Sequence, residues 1–281
     1  MRRLSLVVAF SAVVLPTGRA TQASAQIPLA PPASAGKTVT PAFEGWYRNT
    51  DGSFSLSFGY FNRNFQEVLE IPIGPDNFME PGAAHQGQPT RFEPRRHWGV
   101  FAVRVPADFD EGTVTWTLRV RGQTLSIPGS LDPLWEIDAL AGEAGSGNTP
   151  PVLRFEAGGP TGAGPGGIIT GPVAARVGQP LSLTVWATDD GRTSGSIATD
   201  GRADVPVQLM WFKHQGPGTA TFSRVQPAVR VSDHAATTTV TFDAPGDYVL
   251  RVRANDASGV SGAGHAQCCW TNGFVRVGVT R

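Results

Sequence analysis

From residue 181 onward the chain repeats one device, a short run of alternating apolar and polar residues closed by glycine, proline or an Asp-Gly pair. "LSLTVWATDD", "VQLMWFKHQGPGTATFS", "TTTVTFDAPGDYVLRVRAND" and "GFVRVGVTR" all follow it. Successive side chains on a strand point to opposite faces, so a period of two marks strands with one buried side. No stretch sustains the 3.6-residue period of a helix. With 34 Gly and 23 Pro in 281 residues, turn signals cut every run to strand length. The chain is expected to be all-β.

The same signals divide it in two. "AFEGWYRN" and "GSFSLSFGYFNRN" are joined by Asn49-Thr50-Asp51-Gly52, residues that tolerate the positive φ of a hairpin turn. "QEVLEIPI", "WGVFAVRV", "TVTWTLRV" and "GQTLSI" complete six or seven strands, enough for a β-sandwich over residues 41–140. Residues 141–149, "AGEAGSGNT", read as a linker and 150–281 as a second sandwich. In that second part strands B, C, E, F and G follow in order. Trp211 stands in C, and Tyr248 enters F behind Gly246, the place of a tyrosine corner. That pattern predicts an immunoglobulin-like Greek key.

Residues 1–25 have the layout of a secretory signal peptide: Arg2 and Arg3, an apolar run from Leu4 to Leu15, and Ala23-Ser24-Ala25 as the cleavage site. The run is too short to span a bilayer, and no later segment is long and apolar enough, so no transmembrane anchor is expected. Export to the periplasm or beyond follows, with residues 26–40 as a flexible lead-in. Cleavage leaves 20 basic and 23 acidic side chains, evenly mixed. Nothing in that balance favours nucleic acid or an anionic membrane as partner.

Residues Trp211, Gly216-Pro217-Gly218, Phe222, Phe242, Pro245-Gly246 and Tyr248 resemble those of PKD-type immunoglobulin-like domains in their bacterial secreted form, over roughly residues 170–281. The resemblance implies a non-catalytic spacer, adhesion or binding module. "FEGWYRN" and "SFGYFNRN" resemble the front half of exported bacterial proteins, a likeness that brings no function with it.

In an immunoglobulin-like sandwich the B–C and F–G loops share one end. That end would gather Asp189, Asp190 and Asp204 with Asp256, His265, Cys268, Cys269 and Trp270. The four aspartates offer oxygens for calcium, although Asp-Gly pairs are also ordinary turn residues. Zinc or copper at His265 and the cysteines would need a fourth ligand from His214, His234 or an Asp. Cys268 and Cys269, the only cysteines, have three readings: a vicinal disulfide, buried free thiols, or intermolecular bridges. A bridge beside Trp270 would make a rigid apolar knob able to stack on a sugar or another flat ligand.

The 26 residues from Pro72 to His97 read as a long irregular excursion, either a binding flap or an Ω-loop packed down by Phe78, Met79 and Phe92. Gly162, Gly164 and Gly167 match G-x-G-x-x-G, but no helix pattern follows and Pro165 interrupts the match, so dinucleotide binding is excluded. There is no G-x-S-x-G and no H-E-x-x-H. The sequence predicts a non-enzymatic envelope module touching a protein or polysaccharide surface, with calcium binding as the alternative. A hydrolase using His85 or His97 is the remaining reading.

Overall fold

The computed structural model describes residues 33–138, 147–192, 207–260 and 262–281. The expected signal peptide, most of the expected linker and Asp204 lie outside the described residues.

The first sandwich opposes two three-stranded antiparallel sheets. Strands β1 (Val39–Arg48), β2 (Phe54–Asn62) and β6 (Arg95–Val105) form one, in the order β1-β2-β6. Strands β4 (Asn77–Glu80), β7 (Val114–Val120) and β8 (Gln123–Gly129) form the other, in the order β4-β7-β8. A two-residue ladder joins β3 (Leu69–Glu70) to β5 (Arg91–Phe92). Leu56, Phe58, Phe101, Trp116 and Leu118 fill the space between the sheets. Phe101 meets Trp116 edge-on at 5.1 Å, a favoured aromatic geometry.

Two expectations need correction here. The excursion from Pro72 to His97 is largely structured: it contributes β4, β5 and the start of β6, and buries Met79 and Phe92. Its strands are too short to show a period in the sequence. The described part of the lead-in is also fixed, since Asn64 Oδ1 accepts from Lys37 N at 2.6 Å and Ala33 O accepts from Phe65 N at 2.9 Å.

The second sandwich comprises β9 (Val152–Arg154), β10 (Ile168–Arg176), β11 (Leu181–Thr188), β12 (Gln208–Gln215), β13 (Ala220–Phe222), β14 (Ala235–Phe242), β15 (Gly246–Asn255) and β16 (Trp270–Thr280). One sheet runs β10-β16-β15-β12, with β10 parallel to β16; the other runs β13-β14-β11-β9. In immunoglobulin letters these are A′GFC and DEBA, so the strand order itself gives the Greek key. The tyrosine corner is made: Tyr248 Oη donates to Ala244 O at 2.9 Å and accepts from Gly218 N at 3.1 Å. Trp211, Leu250, Val252, Val275 and Val277 lie in the core between the sheets.

The described strands of both sandwiches fall within one compact unit, residues 32–281. The reason lies in the faces that the alternating pattern left over. On β2, Phe54, Leu56 and Phe58 point into the first core, yet Ser55 and Ser57 are buried as well. Ser57 Oγ donates to Gln267 of the second sandwich at 3.1 Å. Phe274 on β16 packs into the first core. The A′GFC sheet is therefore covered on both sides where the sandwiches meet.

Candidate functional site at the joint between the sandwiches

The F–G loop, expected as an exposed ligand tip, is part of this joint. Trp270 is 1% exposed, and its indole Nε1 donates to Gly99 O on β6 at 3.2 Å. Cys268 and Cys269 are buried with Tyr47 and Ile137, and their sulfurs are joined across a cis peptide bond. His265 Nδ1 lies 2.6 Å from Asp138 Oδ2. Of the expected ligand-binding residues Trp270, Cys268, Cys269 and His265, only His265 is exposed. A stacking platform on Trp270 is thereby corrected, because the first sandwich covers the ring.

The three expected metal residues that are described, Asp189, Asp190 and Asp256, are occupied by the chain's own donors. Asp189 accepts from Gly191 N at 2.9 Å, and Asp190 from Thr149 Oγ1 at 2.9 Å. The buried Asp256 accepts from Asn148 Nδ2 at 2.7 Å, and that amide also reaches Cys269 Sγ at 3.1 Å. Burial, followed by the charges of Asp256 and Asp190, pushes Asp189 up to about 6. Among the described residues no three His, Cys, Asp or Glu side chains group to hold a metal ion. Asn148, at the end of the expected linker, is docked by these bonds.

Of the titratable groups at the joint, the sequence singled out His97 and His214 but not Glu44, Arg251 or Arg253. Glu44, on β1 beside a bulge, is fully buried; it accepts from Gly99 N and pairs with Arg96 Nη2 at 2.6 Å. A side chain at Gly59 would collide with the Glu44 carboxylate, so this glycine makes its space. Burial raises Glu44 to about 7 despite Arg96. Burial, reinforced by Arg251, lowers both His97 and His214 to about 3. His214 Nε2 lies 2.7 Å from Gly87 O. Burial also brings Arg251 down to about 9; its guanidinium stacks over Phe212 at 4.4 Å and donates to Asn272 Oδ1 at 3.2 Å. Arg251 and Arg253 alternate with the core residues Leu250 and Val252, so period two alone puts them on the face turned away from that core. Only the placement of the first sandwich shows that this face is covered.

Where the joint opens, a cleft of 580 Å³ lies between the sandwiches, lined by Arg91, Glu93 and His97 from one side and Phe212, Lys213 and Phe222 from the other. Arg91 bridges Glu70 at 2.9 Å and Glu93 at 2.6 Å, and Lys213 Nζ reaches Glu70 at 3.0 Å. The cleft joins aromatic faces to fixed charges, a combination suited to binding.

No protein-family model matches the chain, and no curated protein matches it. Solved structures similar to it include domains 4 and 5 of the S-layer protein SbsC, at 13% identity over 61% of this chain and 66% of that one, with a TM-score of 0.25. A titin immunoglobulin tandem aligns at 12% identity over 87% and 99%, with a TM-score of 0.24. The D0–D1 domains of intimin align at 10% over 86% and 97%, with a TM-score of 0.26. Scores this low carry no structural argument. The immunoglobulin-like assignment rests on strand order and the tyrosine corner.

Proposed function

We propose that the chain is an exported, non-enzymatic module of the cell envelope that contacts a protein or polysaccharide, its second sandwich being of the PKD type. The observation that carries this reading is the joint. Two sandwiches sharing a covered sheet act as one stiff body, and the cleft that opens beside the joint has walls from both. His97 favours binding over hydrolysis: burial lowers it to about 3, which makes it a weak base, and its Nε2 is taken up by Pro94 O at 3.1 Å. His85 lies 2.9 Å from Gln215 Nε2. Export agrees with the signal-like start and with a joined cysteine pair, which persists in oxidising compartments. No helix among the described residues is long and apolar enough to cross a membrane.

Cell fractionation and co-sedimentation of the purified chain with isolated envelope material test this reading together. Recovery outside the cytoplasm and retention on the envelope pellet are expected. Cytoplasmic recovery, or failure to sediment, would overturn it.

A further inference from the structure

Two further depressions border the cleft along β12, and together they outline a groove. One, of 230 Å³ and lined by Gln208, Met210 and Arg253, adjoins the cleft through Met210. The other, of 730 Å³, adjoins it through Lys213 and Thr219. All three follow β12, whose eight residues run roughly 26 Å at about 3.3 Å each. That length suits an extended chain better than a single small molecule.

We propose that this groove binds a linear polysaccharide bearing carboxylates, with a carboxylate meeting Arg253 and a sugar ring lying against Phe222. The inference rests on the envelope-binding reading and names the ligand class.

Charge selects the carboxylate. Arg91 and Lys213 are answered by Glu70 and Glu93, but Arg251 and Arg253 have no carboxylate partner among the described residues. Both carry a buried Nε without a hydrogen-bond partner. A guanidinium held this way costs free energy that an incoming carboxylate offsets, and its planar fork matches that group. Arg253 lines the groove, while Arg251 stands behind Phe212 and adds its field.

Hydrogen bonding selects a sugar over a peptide. An extended peptide would bind by adding a strand to the edge of β12. That edge is already engaged at two points: Trp211 N donates to Val225 O at 2.9 Å, and His214 O accepts from Thr90 N at 2.9 Å. A continuous added strand is thereby interrupted, and side chains carry more of the recognition. One that lines the groove, the half-buried His97, has an orphan atom, Nδ1. With Nε2–H donated to Pro94 O, the neutral His97 keeps Nδ1 as an acceptor. A sugar hydroxyl can donate to it, whereas a carboxylate cannot.

Calorimetric titration of the full chain with oligogalacturonate, its methyl ester and polyglutamate tests the proposal. Oligogalacturonate should bind, weaken with added salt, and exceed its neutral ester at least about tenfold, the loss expected for one charge-assisted hydrogen bond. Arg253→Met should cost a similar factor. Thr221→Glu, an exposed change on the groove wall, should also weaken binding without disturbing the fold. Equal binding of acid and ester, no binding, or an unchanged Arg253→Met would overturn the proposal; equal binding of polyglutamate would assign the groove to acidic peptides. Envelope sedimentation that survives both substitutions would remove the groove while leaving the envelope reading intact. Loss of sedimentation by the unmodified chain would remove that reading itself.

Discussion

Trp270 and Gly99 form the point at which the two sandwiches are closest to interlocking. The indole donates to the Gly99 carbonyl, and its ring occupies the space where a Cβ on Gly99 would stand. Asn272 Nδ2 reaches the same carbonyl at 2.6 Å, so one backbone oxygen on β6 takes two bonds from β16.

Gly99→Ala is therefore expected to destabilise the whole chain. The residue has a φ of +40°, which L side chains rarely adopt, and an added methyl would meet the Trp270 ring. Overpacking of this kind costs about 1–3 kcal/mol. Urea unfolding checks it, with Gly52→Ala as a control at another positive φ but with open space around the glycine. Equal losses at both sites would show that the interlock contributes nothing beyond backbone conformation.

The buried titratable groups set the pH dependence, with opposite signs. Histidine ordinarily titrates near 6.5, and His97 and His214 are held at about 3. Between those values the unfolded chain binds protons that the folded chain refuses, so their contribution is full above about 6.5 and is lost as pH falls towards about 3. Glu44, raised from 4.5 to about 7, contributes fully below 4.5 and loses that contribution as pH rises through about 7. His214→Gln should flatten the acid limb of a stability–pH curve, and Glu44→Gln should remove the opposing slope between 4.5 and 7. Slopes identical to wild type in both variants would contradict these assignments.

The cysteine pair should be inaccessible in the folded chain. Cys269 is 0% exposed, and Asn148 Nδ2 sits on its sulfur. Intact mass should be about two units below that of the dithiol, with no alkylation of the denatured, unreduced protein. Thiol reductant should open the bond in denaturant far faster than under native conditions, because exchange requires access to a sulfur. Two labelled thiols before reduction would refute the bond.

Much of the fold was legible because alternation and turn chemistry report it directly. Phe54, Leu56 and Phe58 on β2, and Tyr248 at its corner, lie where the pattern puts them. The partner of the second face was not legible. Ser55, Ser57 and Gly59 on β2, and Arg251 and Arg253 on β15, look like a solvent side to any argument based on period two. Small residues opposite bulky ones also mark a face that another sheet approaches closely, as Gly99 does for Trp270. The candidate site was missed for the same reason. Trp270 read as an exposed anchor because its loop belongs to the usual recognition end of the fold, and nothing local in "HAQCCWTNG" reveals that a second sandwich covers it.

The central claim is that the two sandwiches form a single cooperative body through a sheet covered on both sides. Differential scanning calorimetry of the full chain tests it most directly. One transition is predicted, with calorimetric and van't Hoff enthalpies in agreement. Two resolved transitions, or a calorimetric enthalpy well above the van't Hoff value, would mean that the sandwiches unfold independently and that the joint is only a contact.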